Sequence, residues 1–272
     1  MIEKHFFKRP LNLEISVATL GISRDDWFCH KPGMQTEFVK DTMVKNGYDI
    51  VPIINKQGKF MKYYFLGENN ELKVETIKDE DRLYYLTHVS DVIWKMNNEK
   101  RKHYFLSNGK DKDDVVGLLS LSNFNSREFY VYLFSLIAYI EKGLAGLIDS
   151  DGDEAFGILE KKANNDDLKN QLITIIDRYT KDKLNDAENN YKEYLYLHHL
   201  LWLISSESKF ELLKYSSEYD FIKHTGKIKN IRNNVAHPIK SLVRNLNDLQ
   251  DLHLGLSKIY DLKDRVENCK SE

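Results

Sequence analysis

The chain has 272 residues, 42% hydrophobic and 30% charged, with a formal net charge of −2 at pH 7. That length fits two domains with cores of their own, and the near-balance of charge points to neither a nucleic acid nor a membrane as partner of the whole chain. Cys29 and Cys269, the only cysteines, exclude a disulfide framework and lack metal-ligand spacing, while no apolar run reaches about 18 residues and no charged-then-apolar leader follows Met1; the expectation is a soluble cytoplasmic protein with no membrane contact.

Strand-like and helix-like pieces alternate over roughly the first 125 residues. "YDIVPIIN" (48–55) is β-rich and stops at the turn "KQGK", and "KFMKYYFL" continues as a second strand, so the two predict a hairpin. "VSDVIWKM" (89–96) has helical spacing, "HYFLS" (103–107) reads as a strand, "NGKDKDD" as a turn and "VVGLLSLS" as the next strand. A short helix followed by two strands thus occurs twice. From about Ser126 the pattern is all helix. "REFYVYLFSLIAYIEKGLAGLI" is apolar nearly all round, as in a helix buried by both domains or by a partner. "DDLKNQLITIIDRY" places Leu168, Leu172, Ile175, Ile176 and Tyr179 on one face, and "NNYKEYLYLHHLLWLI" does the same with Tyr191, Tyr194, Leu197, Leu201 and Ile204. After Pro238 a long helix is expected, with Leu242, Leu246, Leu249, His253, Leu256 and Tyr260 as its stripe. Short breaks between such helices imply an up-and-down bundle.

The repeated helix–strand–strand unit, with "MVKNGYDIVPIINKQGKF" and "HYFLSNGKDKDDVVGLLSLSNFN", resembles the two halves of a cystathionine β-synthase (CBS) domain pair over residues 8–126. The second half fits better: Gly117-Leu-Leu-Ser120-Leu-Ser-Asn123 follows the family pattern of Gly, two apolar residues, Ser or Thr, two residues and Asp. In the family that hydroxyl and Asp bind the phosphate and ribose of an adenine nucleotide. The resemblance therefore implies a regulatory adenine nucleotide at Ser120 and Asn123. Asn123 replaces the Asp and can hydrogen-bond a ribose hydroxyl without adding charge. The first half has no equivalent after Gly58, so one site at most is implied.

In the helical half, Arg232-Asn233-Asn234-Val235-Ala236-His237-Pro238 resembles the HEPN superfamily (higher eukaryotes and prokaryotes nucleotide-binding), whose active members are metal-independent ribonucleases. Spacing alone decides nothing, because Arg24 to His30 and Arg82 to His88 also satisfy it. Context decides: a polar residue after Arg, Ala before His, Pro after it, and a late position in a helical bundle. Arg232 and His237 lie about 140° apart on a regular helix, but Pro238 disfavours helical geometry at His237 and pre-sets a new first turn, so a local bend lets the pair converge. Metal-free RNA cleavage needs a base for the 2′-OH, a cation for the developing charge and an acid for the 5′-oxygen. Histidine serves as base or acid and arginine as the cation, but one His cannot do both in one step. A homodimer with its site at the two-fold interface supplies the second histidine, as the family does. From Phe221 to Asn247 the chain carries Lys223, Lys227, Lys229, Arg232, Lys240 and Arg244 and no acid, a basic stripe suited to RNA. Asn233 would orient Arg232 or touch RNA, and Glu141, on the first bundle helix, either faces the motif or is an exposed helix charge.

Other features read blandly. "DSDGDEAFGILE" puts Asp149, Asp151, Asp153 and Glu160 at calcium-loop positions, but Glu154 stands where the loop requires Gly, leaving an acidic loop that caps the next helix. His198 and His199 are neighbours pointing about 100° apart, wrong for one metal, and His253 lies on an apolar stripe. No metal site and no catalytic cofactor are expected. The expected architecture is an α+β CBS-pair-like nucleotide-sensing domain at 1–125 and an all-α, HEPN-like up-and-down bundle at 126–272. Its expected function is that of a ribonuclease under adenine-nucleotide control, suited to stress response or phage defence. The alternative is a CBS/HEPN module that binds protein or RNA without catalysis.

Overall fold

The structure, a computed structural model, describes residues 15–109, 114–185, 190–236 and 241–269, save the side chain of Glu68. It divides into two compact units, one comprising the described residues of 15–130 with 241–253, the other those of 131–236 with 254–269.

The first unit mixes helices and sheets. α1 (Val17–Leu20) and β1 (Ile22–Ser23) precede α2 (Thr36–Asn46), which ends on Gly47 in the left-handed region at φ 67°, its N–H bonded back to Met43 O. β2 (Ile50–Ile54) and β3 (Phe60–Leu66) form the expected antiparallel hairpin, closed where Asn55 Oδ1 accepts the N–H groups of Gln57 and Lys59. β4 (Leu72–Thr76) adds to β3, a strand that sequence periodicity did not reveal because most of its side chains are exposed. β5 (Arg82–Tyr84) leads into α3 (Val89–Glu99), followed by β6 (His103–Ser107) and β7 (Val115–Ser120).

The two sheets repeat one plan. In the second, β5 runs parallel to β6, β7 is antiparallel to β6, and β1 closes the edge against β7. In the first, a parallel bridge from His30 to Ile53 occupies the β5 position, β2 and β3 follow, and β4 closes the edge. Ile50, Phe60, Tyr63 and Ile77 from the first half pack with Phe105, Val115 and Leu118 from the second in one buried cluster. Val39 and Met43 seat α2 on Val51 and Tyr64.

Both decoy Arg/His pairs are consumed structurally. Arg24 pairs with Asp114 at 3.0 Å, while a His30 ring nitrogen bonds Met34 O. Arg82 is buried beside Ile77 O and Asp79, and His88 caps α3 by accepting the Ser90 N–H.

The second unit is helical. α4 (Arg127–Ala145) belongs to it from Val131 onward. Val131 and Phe134 are 56% and 63% exposed, so within the chain this helix is not covered on every side. α5 (Gly152–Lys162) begins at the acidic loop, where Asp151 accepts the Glu154 N–H and Asp149 pairs with Lys209. α6 (Asp166–Leu184) buries Leu172 and Ile175, with Leu168, Ile176 and Tyr179 half-buried alongside. The next expected helix is broken: Tyr191–Tyr194 forms a 3₁₀ turn, Leu195 and Tyr196 are extended, and α7 spans only Leu197–Ser206. α8 (Glu218–Ala236) follows.

α9 starts at Leu246 and ends at Cys269, so Leu242 is not part of the last helix. Its N-terminus is set by Asn245, whose side chain accepts the N–H groups of Asn247 and Asp248. The buried stripe is Leu249, Leu252, Leu256, Ile259, Leu262 and Val266; Leu249 and Leu256 were expected on it, while Leu252 and Ile259 take the places expected for His253 and Tyr260, which with Leu246 are half-buried at its flank. Among the described residues no helix is long and apolar enough to cross a membrane.

Candidate functional site

Arg232 lies in the last turn and a half of α8, one turn after Lys229, and both side chains are half-buried. The apolar face of α8, formed by Phe221, Ile228, Ile231 and Val235, fixes the helix rotation and brings Arg232 to its border. There the guanidinium meets two groups. Its Nε is 4.0 Å from Glu141 Oε1 on α4, and its central carbon lies 5.4 Å from the centre of the Tyr196 ring, a cation–π contact. Burial raises the Glu141 pKa, and the Arg232 charge and the Leu197 N–H, which Glu141 accepts, oppose that rise. Glu141 thus faces the motif, and it holds Arg232 and the start of α7 together.

Tyr196 is the N-cap residue of α7, and its N–H donates to His199 Nδ1 at 3.2 Å. The rings of His198 and His199, expected to diverge, stand 3.9 Å apart. His199 is fully buried and burial pushes its pKa down to about 3; burial with the charges of Lys229 and Arg232 pushes His198 down to about 4. Sequence reasoning set both histidines aside because it tested them only as ligands of one metal. Their position at the start of a helix, just after the aromatic cap Tyr196, was the available signal.

His237 and Lys240 lie outside the described residues. Asn233 is exposed, about 100° round α8 from Arg232 and on the same side as Lys229. Lys227, exposed, precedes Arg232 by five residues, which on a continuous helix places it about 140° away. The helix therefore groups Arg232, Lys229 and Asn233 and sets Lys227 apart. The basic stripe is also partly neutralised from beyond its ends: Arg244 pairs with Asp248 at 3.0 Å.

Ser120 and Asn123 come together at the end of β7, where a 3₁₀ turn (Leu121–Asn125) begins. The Ser120 N–H and hydroxyl both donate to Asn123 Oδ1, at 2.7 and 3.0 Å, and Ser120 Oγ also shares a proton with Ser122. The acceptor of Asn123 is therefore committed to the cap, and what remains for a ligand is its amide N–H₂. That set fits a phosphate oxygen better than a ribose hydroxyl seeking an acceptor.

Asn125, two residues on, was not singled out from sequence. Its Oδ1 accepts the N–H groups of Leu242 and Val243 at 2.6 and 2.9 Å, and its Nδ2 donates to Val243 O at 2.6 Å. Leu242 and Val243, which follow the Arg232–Pro238 stretch, are thereby fastened to the first unit. Among the described residues no group of three His, Cys, Asp or Glu is placed to hold a metal ion.

No family model matches the chain, and no curated protein is significantly similar to it in sequence. Solved structures similar to part of the chain are CBS domains. The CBS domain of a bacterial CNNM/CorC family Mg²⁺ transporter is 9% identical, over 42% of this chain and 75% of that one, with a TM-score of 0.32. A Vibrio cholerae protein assigned to acetoin utilization is 14% identical over 46% of this chain and 96% of that one, with a TM-score of 0.35. The CBS domain pair of protein MJ0100, in complex with 5′-methylthioadenosine and S-adenosyl-L-methionine, is 14% identical over 41% and 93%, with a TM-score of 0.31.

Proposed function

We propose that the chain is a metal-independent endoribonuclease of the HEPN type, joined to a CBS-pair-like module that senses an adenine nucleotide, and that it acts on RNA as a homodimer in stress response or phage defence. The observation that carries the reading is the setting of Arg232: a half-buried guanidinium held between Glu141 and Tyr196, one turn from Lys229, in a helix described as far as Ala236, directly before His237. Arginine fixed in this way is a ready ligand for the charge that builds on a phosphodiester under attack by its own 2′-oxygen. His237 takes the 2′-OH proton, and the His237 of a second copy protonates the 5′-oxygen that leaves. Lys229 and Asn233 add contacts to flanking phosphates.

For the regulatory half, support comes from the repeated sheet plan and from Ser120 and Asn123 at the end of β7. A nucleotide phosphate there would engage residues two positions from Asn125, which anchors Leu242 and Val243 just beyond the motif. Such a ligand can alter activity only through a difference in affinity between two arrangements of that segment. Incubation of the full chain with end-labelled RNA in EDTA tests the enzyme. Products ending in 2′,3′-cyclic phosphate, lost in His237→Ala and in Arg232→Ala, are expected; intact RNA with and without adenine nucleotides refutes it.

A further inference from the structure

His198 stands beside the cations of α8, and the Arg/His motif leaves it without a role. Its ring lies nearly parallel to that of Tyr196, with 16° between planes and 6.1 Å between centroids, and the Arg232 guanidinium sits 5.4 Å from the same tyrosine ring. The imidazole and the guanidinium thus both lie against one tyrosine ring. They do so at the first turn of α7, where helix N–H groups add partial positive charge. Trp202, one turn later, packs edge-on against the imidazole at 5.2 Å and restricts its rotation.

The proton position on His198 follows from burial. Of its two ring nitrogens only Nε2 is enclosed without a hydrogen-bond partner among the described residues. A proton on Nε2 would be a buried donor with no acceptor, a costlier fault than a buried lone pair. The neutral ring therefore carries its proton on Nδ1. The charged groups facing it are Lys229 and Arg232 from α8, with Glu141 of α4 against Arg232 and neutral His199 beside it; burial and the two cations hold its pKa near 4. At neutral pH the ring is a constant donor and not an acid.

We propose that His198 is a further phosphate-binding group of this site, donating from Nδ1 to a phosphate of single-stranded RNA held beside Lys229 and Arg232. The proposal rests on the RNA reading above and adds to it a neutral ligand in the same protomer. A neutral donor fixes where the phosphate sits but releases no counterion, so it contributes affinity without steepening the salt dependence.

The test is anisotropy titration of fluorescein-labelled single-stranded RNA with the full chain carrying His237→Ala, which prevents cleavage. Added His198→Phe keeps the ring and removes the donor, and is expected to weaken binding about fivefold to tenfold, as loss of one hydrogen bond to a charged acceptor does. Added His198→Asn, whose amide sits near the Nδ1 position, should stay within about twofold of the parent, with an unchanged salt slope in both variants. If His198→Phe does not fold, His198→Gln, which places its amide at the Nε2 position, must lose what Asn keeps. Parent-like affinity in His198→Phe overturns the proposal, as does a loss of parent affinity between about pH 6 and 7 that His198→Asn abolishes, since that marks a protonated imidazole. Should the parent bind RNA and lose it in Arg232→Ala while ignoring His198 changes, this proposal alone fails. If the parent binds no RNA, the RNA reading fails and takes this proposal with it.

Discussion

Replacing Asn125 by Ala removes three hydrogen bonds at once: the two N–H groups of Leu242 and Val243 lose their acceptor and Val243 O loses its donor. Leu242 is 8% and Val243 1% exposed, so water cannot take over these roles without opening the segment. At about 1 kcal/mol net for each bond, the 241–253 segment should lose about 3 kcal/mol of local stability. Amide hydrogen exchange reads this directly: the Leu242 and Val243 amides should exchange about 150-fold faster, while the amides of β6 and β7 keep their protection. Asn125→Asp keeps both acceptor contacts but sets a carboxylate oxygen against Val243 O, and should cost about 1–2 kcal/mol at pH 7. Protonation below about pH 4 restores a donor and should reduce that loss. Unchanged exchange at both amides in Asn125→Ala would refute the view that this side chain holds the segment.

His199 makes stability depend on pH. The unfolded chain takes up a proton below about 6.5 and the folded chain not until about 3, so stability is full above 6.5 and falls as pH drops. Between pH 8 and 5 this residue should account for a loss of about 2 kcal/mol, and urea titrations of His199→Asn, which retains an acceptor for the Tyr196 N–H, should show a drop smaller by that amount. Asn123→Asp replaces the amide donors offered to a phosphate by a second acceptor and a negative charge, and should weaken adenine-nucleotide binding roughly tenfold by calorimetry; no binding in either form removes the nucleotide from the proposal. Asp151→Ala deletes the α5 cap and should cost about 1 kcal/mol in chemical denaturation, and calcium should leave the melting temperature of the unaltered chain unchanged.

Much of the first unit was legible because its buried strands are short apolar runs rich in β-branched and aromatic residues, bounded by turn residues: β2, β3, α3, β6 and β7 all appear where the sequence pattern put them. β4 escaped because an edge strand with mostly exposed side chains carries no such pattern. In the second unit the last helix was found and Leu249 and Leu256 lie on its buried stripe as expected, but His253 and Tyr260 were put there in place of their neighbours Leu252 and Ile259, which satisfy the same 3–4 spacing. The Tyr191–Tyr196 break was hidden by continuous apolarity. At the candidate site, Arg232 was legible from its motif and Lys229 from the acid-free basic stretch around it, while Lys227, read with them, lies about 140° from Arg232 on the helix. Tyr196, His198 and Asn125 act through partners distant in sequence, and local spacing cannot encode those.

The division of the chain has a consequence for its biosynthesis. The first unit is not a contiguous stretch: β1 finds its partner only when β7 has been made, and Leu242 and Val243 reach Asn125 only after the residues of the second unit between them have been synthesised. A ribosome releasing this chain in order must therefore produce most of the helical unit before the first unit can be completed. Truncation after residue 130 would leave the amide and carbonyl groups of Asn125 unmatched and remove the buried side chains of Leu242 and Val243, so the first unit cannot be obtained intact by a single cut.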